Sequence, residues 1–196
     1  MRIYLSSYRL GRRASSLQRA GGRALIVMNA LDEYEQRMLS WDREVEDLAR
    51  LGYLSEELDL REYWGATAGS VQSRLHGADL IWVVGGNAFV LARAATAAGL
   101  ATALAESPHL TYAGYSAGAC LSSTDLQGID LMDDERTRPP NYRRDMPART
   151  LRLMSSRFVP HAGTEEARAA ATHLRDRGLD FFELADGEDM LLDVPV

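Results

Sequence analysis

Three short strings of residues have the types and spacing for covalent chemistry. Gly114-Tyr115-Ser116-Ala117-Gly118 is a G-x-S-x-G pattern lying where an apolar run, Leu110 to Tyr115, gives way to a helical start. A sharp strand-to-helix turn needs glycines where a Cβ would clash, and it projects the serine hydroxyl into open space. The same turn aims the Ala117 N–H and a helix N-terminus at one point, where they can stabilise an oxyanion. A small-residue turn that only packs tightly is the structural alternative. A serine hydroxyl needs a base. Of the four histidines, His76 falls late in a helix, His173 lies inside an alanine-rich helix, and His109 precedes the strand that leads to Ser116. His161 directly follows the apolar Phe158-Val159-Pro160, at the edge where a base belongs. The third string, Gly85-Gly86-Asn87-Ala88-Phe89, again ends a strong strand and precedes a helix. It lacks the GxxxxGK[ST] and GxGxxG spacing of phosphate loops, which leaves an oxyanion wall or a purely structural turn.

The elements that must carry these residues alternate. Arg2 to Leu5, Ala24 to Met28, Asp79 to Val84, Leu110 to Tyr115 and Arg157 to Pro160 read as buried strands. Leu54 to Leu60 is ambiguous, with a short strand in its Glu-Leu-Asp-Leu. Helical spacing runs from Asp32 to Leu51 (Tyr34, Met38, Trp41, Val45, Leu48, Leu51) with a charged outer face, and Gly52 stops it. Further helices are expected over Gly69 to Leu75, Phe89 to Ala98, Leu100 to Ala105 and Thr164 to Arg177. Phe181 to Leu184 and Met190 to Val194 flank Asp186-Gly187 and read as a hairpin. Strands alternating with helices predict an α/β fold with a mainly parallel central sheet flanked by helices, and ligands bind at the carboxyl ends of such strands. No linker divides residues 1–196, so a single domain is expected.

Composition narrows the function. A net charge of −6 over 196 residues disfavours nucleic-acid binding. Every basic residue is arginine, to which no functional weight attaches. The single cysteine, Cys120, has no partner for a disulfide, and no Cys/His spacing offers a metal cage, so neither metal nor cofactor is expected. Lying one helical turn beyond Ser116, Cys120 should point into helix packing rather than act as nucleophile. No stretch reaches the roughly 18 apolar residues of a membrane span, and the first residues carry no signal-peptide core. A cytoplasmic protein with no membrane partner is expected; a homodimer is compatible with all of this.

Taken in order, Gly85-Gly86-Asn87-Ala88-Phe89, Gly114 to Ala119 and Val159-Pro160-His161 resemble the peptidase E (aspartyl dipeptidase) family of serine peptidases. Tyr4-Leu5-Ser6-Ser7-Tyr8 and the Asp186-Gly187 turn are similar too, so the resemblance spans nearly the whole chain. It implies a class I glutamine-amidotransferase-like fold, no metal, and hydrolysis of small peptides, above all dipeptides with an N-terminal aspartate. Ser116 matches the nucleophile, His161 the general base, and the Gly86 and Ala117 amides the oxyanion hole; Gly85 and Asn87 are expected beside the substrate. The resemblance calls for a third, acidic member between nucleophile and histidine. Asp130 aligns best, Asp125 is the runner-up, and Asp133, Asp134 and Glu135 fall in the same interval. Selecting an aspartate needs a cation for its carboxylate and an acid or carbonyl for the free amine. The family's arginine follows the histidine, where this chain offers Arg168, with Glu165 competing for the position and Arg143 and Arg144 as alternatives. The polar segment Asp133 to Pro147 reads as a lid or a surface loop. Two other functions use the same residues: a small-molecule esterase or amidase, and an inactive amidotransferase-like binding domain.

Overall fold

The computed structural model describes residues 1–35, 37–65 and 70–194. Six strands form the main sheet: β1 (Arg2–Ser6), β2 (Gly22–Val27), β3 (Tyr53–Glu57), β4 (Leu80–Val83), β5 (Thr111–Tyr115) and β8 (Asp189–Asp193). Their order is β3-β2-β4-β5-β1-β8, with every pairing parallel except the antiparallel β1–β8 edge. Two more strands, β6 (Arg157–Val159) and β7 (Phe181–Glu183), make a separate parallel pair.

Alternate residues of each strand face opposite sides, and both sides are covered, as continuous apolar runs require. Tyr4, Ala24, Ile26, Trp82, Ala113 and Tyr115 pack on Leu48 of helix α1 (Arg37–Arg50) and on Leu51 just past its end. Ile3, Leu5, Leu25, Val27, Ile81, Val83 and Tyr112 point the other way, onto α2 (Val71–Leu75), α3 (Ala88–Ala97), α4 (Leu100–Ala105) and α5 (Ala117–Leu121). Helix α6 (Glu165–Asp176) packs on the small β6–β7 pair through Ala167, Ala170 and Leu174. Register aligns Ser6 with Tyr115, and Gly114 with both Leu5 and Val83, so β1, β4 and β5 end together at one edge. Among the described residues, no helix is long and apolar enough to cross a membrane.

Several local expectations are corrected. Phe181 to Leu184 and Met190 to Val194 are not a hairpin: β7 pairs with β6, β8 closes the edge of the main sheet on β1, and Asp186-Gly187 spans the two sheets. In the ambiguous 54–60 segment the strand is β3, which ends at Glu57 instead of running through Glu-Leu-Asp-Leu, and a short 3-10 helix, Leu60–Tyr63, starts at its last residue. Helix α1 begins at Arg37, leaving Met38 and Tyr34 exposed, while Glu44 and Asp47 of the expected polar face are buried. Gly69, the expected start of α2, lies outside the described residues. The Asp133 to Pro147 segment is a largely exposed loop anchored on the body at a few points. Tyr142 and Met146 are buried, the Tyr142 ring meets Trp64 edge-on at 4.9 Å, and its hydroxyl donates to Asp32 at 2.6 Å.

Candidate active site

Strand β5 runs into α5 through Ser116, whose backbone sits at φ 49°, ψ −116°. That conformation is unfavourable for a residue with a Cβ, and it survives because its neighbours hold it. A Cβ on Gly118 would lie 2.1 Å from the Val83 carbonyl oxygen, and one on Gly114 would lie 2.7 Å from the Gly118 backbone. These two glycines let helix, elbow and β4 approach each other closely enough to hold the turn. The Ser116 N–H is also bound to the Ser6 carbonyl at 3.2 Å.

His161, at positive φ (58°), leaves β6 through Pro160. Its Nε2 lies 3.0 Å from Ser116 Oγ, and its Nδ1 lies 2.7 Å from Asp186 Oδ1. Ser7, at the end of β1, joins the elements that bring these groups together. Its hydroxyl accepts the His161 backbone N–H at 2.7 Å and donates to Asp186 Oδ1 at 2.7 Å. Burial would raise the Asp186 pKa, but the Ser7 and His161 contacts outweigh it and hold the carboxyl below its ordinary value.

The structure thus brings Ser116 and His161 together, and the carboxylate it sets against His161 Nδ1 is Asp186, outside the 125–135 interval. Asp130 is exposed on the short 3-10 helix Ile129–Leu131 and has no contact with His161. Asp125 is committed to a bidentate pair with Arg157, at 2.8 and 2.5 Å. Asp134 accepts from the Arg136 N–H, and Glu135 is exposed. The other histidines are remote from Ser116: His76 and His109 face each other with ring centroids 6.5 Å apart, and His173 meets Arg177.

Above this row of side chains lies a cavity of about 490 Å³ lined by Ser116, His161, Gly85, Gly86 and Ala117, among others. Among the described residues, the Gly86 and Ala117 N–H groups have no protein acceptor. Gly86 has φ +138°, and a Cβ there would lie 2.4 Å from the Ala30 carbonyl oxygen, so only glycine fits this bend. Gly85 packs on the Tyr115 ring at the cavity wall. Asn87, expected beside the substrate, is instead the cap of α3. Its Oδ1 accepts the Phe89 and Val90 N–H groups at 2.9 and 3.0 Å, and its Nδ2 donates to the Asp134 carbonyl. Arg168 does not line the cavity; its guanidinium donates to the Gly163 carbonyl at 2.5 Å. Arg143 pairs with Asp145 on the surface, and Arg144 is exposed and off the cavity wall.

Three further charged residues line the cavity: Arg43 from α1 and Glu166 from the first turn of α6, neither of which the sequence singled out, and Asp133, expected only as an alternative triad acid. Asp133 accepts the Ala88 N–H at the N-terminus of α3 at 2.8 Å. Burial nevertheless dominates, joined by repulsion from Glu33, and pushes its carboxyl up to about 6 despite that bond and the nearby His161. Glu44 is fully buried behind the wall, accepting from Trp82 Nε1 and from the Tyr115 hydroxyl, each at 2.8 Å. Cys120 touches the cavity with almost no exposed surface. Its thiol lies 3.5 Å from the Phe158 carbonyl, and burial raises its pKa well above the ordinary range, which suits a packing residue. Among the described residues, no cluster of three or more His, Cys, Asp or Glu side chains could hold a metal ion.

Known structures share this architecture. The "Putative Peptidase E Protein" of Listeria monocytogenes EGD-e superimposes with a TM-score of 0.80 over 98% of this chain and 94% of its own, at 21% identity. A peptidase from an acI-B1 Actinobacterium does so with a TM-score of 0.68 over 97% and 82%, at 18% identity. At these identities the likeness speaks to the fold. No curated protein matches the sequence. The sequence pattern of peptidase family S51, however, matches residues 28–188, a span that takes in the elbow, His161 and Asp186. The chain belongs to peptidase family S51, a family of serine peptidases.

Proposed function

We propose that this peptidase hydrolyses short peptides with a free N-terminus through Ser116, His161 and Asp186, passing through an acyl-enzyme. The observation that carries the reading is the continuous hydrogen-bonded row from Ser116 Oγ to His161 Nε2, and from His161 Nδ1 to Asp186. His161 Nε2 takes the hydroxyl proton as Ser116 Oγ attacks the scissile carbonyl. Asp186 accepts the Nδ1–H, fixing the tautomer that leaves Nε2 free and offsetting the imidazolium charge. The new oxyanion faces the Gly86 and Ala117 N–H groups, which are fixed by the backbone and need not reorganise. His161 then gives its proton to the leaving amine. A water, deprotonated by the same nitrogen, attacks the acyl carbon, and Ser116 regains its proton as the acid product departs.

Asp133 and Glu166 give the cavity two carboxylates, suited to a substrate's ammonium group. A free amine held there restricts cleavage to the first peptide bond. The resemblance to aspartyl dipeptidases supports aspartate as the preferred first residue and dipeptides as the preferred length. A fluorophosphonate probe tests the core of this reading. Wild type should be labelled stoichiometrically at Ser116, with His161→Ala slowed by orders of magnitude; a folded wild type that takes up no label refutes it.

A further inference from the structure

We infer that Arg43, from helix α1, is the clamp for a substrate carboxylate, taking the place of an arginine supplied after the histidine. The inference rests on the peptidase reading above. Three observations point to it.

Arg43 is the one arginine among the described residues that line the cavity. Apart from His161, the other charged residues among the described lining, Asp133 and Glu166, are acids, so a peptide's carboxylate has a single full cation to meet there.

Second, the guanidinium is left with unused donors. Its only protein acceptor within hydrogen-bond distance among the described residues is Ser40 Oγ, at a long 3.4 Å, and its Nε–H is buried without an acceptor. The nearest carboxylate, Glu44, is 3.6 Å away and already engaged, with Oε1 taken by the Tyr115 hydroxyl and Oε2 by the Trp82 indole. Arg9 and Arg37 also bury an Nε–H without an acceptor, but each gives a terminal nitrogen to a carboxylate, Arg9 to Asp47 at 2.5 Å and Arg37 to Glu57. A bound carboxylate would give Arg43 the close, hydrogen-bonded partner that Glu44, in ion-pair range at 3.6 Å, does not provide.

Third, the base of Arg43 is fixed. Glu44, the next residue, is locked between Trp82 and Tyr115, and Tyr115 precedes the nucleophile on β5. The buried carboxylate therefore ties the α1 backbone to the strand that ends at Ser116, holding the cation in register with the reacting centre. Glu44 is a positioning residue in this arrangement.

A peptide carries two carboxylates that Arg43 could hold: an aspartate side chain at the first position, or the C-terminal carboxylate of a dipeptide. The test compares Arg43→Gln and Arg43→Lys with wild type on Asp-Leu, Ala-Leu and the C-terminal amides of both, with Ser116 labelling as a readout of the intact reacting centre. Losing a charge-assisted pair should lower kcat/KM by about 10- to 100-fold for the substrate bearing the held carboxylate. A loss on Asp-Leu and its amide but not on Ala-Leu assigns the clamp to the side chain. A loss on Asp-Leu and Ala-Leu but not on their amides assigns it to the C-terminus. In either case Arg43→Lys should recover part of the loss while labelling stays at the wild-type rate. Unchanged kcat/KM on all four substrates, or an equal fall on all four with slowed labelling, overturns the inference. A folded wild type that neither labels nor cleaves overturns the peptidase reading, and this inference with it.

Discussion

Replacing Asp133 with asparagine should make the protein more stable and a poorer peptidase, and the two effects should separate by pH. Burial, with Glu33 nearby, raises this carboxyl from 3.8 to about 6. An acid whose pKa is higher in the folded state is stabilising while protonated, and folding stability falls as pH rises between the unfolded and folded values. Ionised Asp133 therefore costs nothing below about pH 4 and its full amount above about pH 6. The shift corresponds to about 3 kcal/mol; partial exposure at the cavity wall reduces this to about 1–3 kcal/mol. Asparagine is nearly isosteric, keeps an oxygen for the Ala88 N–H that now binds Asp133 at 2.8 Å, and carries no charge to desolvate. Urea unfolding of both proteins from pH 4.5 to 8 should show a difference that is small at the acid end, opens with rising pH and levels off above 6. Cleavage of free-amine dipeptides at pH 8 should fall about 10-fold or more through the lost ion pair, while a small p-nitrophenyl ester, which has no amine, is cleaved as before. A stability difference that is constant across pH, or a variant less stable than wild type at pH 8, would refute the assignment of a burial-raised carboxyl.

Two further variants probe the supports of the site. Ser7→Ala removes the acceptor of the His161 N–H and a donor to Asp186; it should cost about 1–3 kcal/mol of stability and lower kcat about 10-fold with little change in KM, read by urea unfolding and dipeptide kinetics. Gly118→Ala places a Cβ 2.1 Å from the Val83 carbonyl oxygen, backbone against backbone. It should destabilise by at least about 3 kcal/mol or prevent folding, which circular dichroism and thermal unfolding would register.

The sheet was legible in the sequence because its central strands are buried on both faces and read as unbroken apolar runs between turn residues. Ser116 and His161 were legible for a related reason: each follows such a run directly, at the end where an α/β sheet exposes ligand-binding groups. Asp186 was not. An Asp-Gly between two apolar segments is a strong hairpin signal, but the segments pair with different partners, and pairing across sheets leaves no mark in a single sequence. The hairpin reading made Asp186 a turn residue, while the family resemblance pointed to an acid between Ser116 and His161, where Asp130 is solvated and Asp125 serves Arg157. Asn87 did carry a readable signal, since asparagine before an apolar helical run is a common cap, and that is the role the structure gives it. Arg43 had none. Helix α1 is studded with charges, and only tertiary packing shows that Glu44 turns inward to Trp82 and Tyr115 while its neighbour Arg43 faces the cavity.

The most direct test of the central claim compares Asp186→Asn with Asp130→Asn, each checked for folding by circular dichroism, in the hydrolysis of Asp-Leu. Asparagine at 186 can still bond His161 but cannot stabilise its charged form or enforce the tautomer, so kcat should fall about 100- to 10,000-fold, short of the loss in Ser116→Ala. Asp130→Asn should retain wild-type kcat. Full activity in Asp186→Asn, or a comparable collapse in Asp130→Asn, would contradict a Ser116–His161–Asp186 triad.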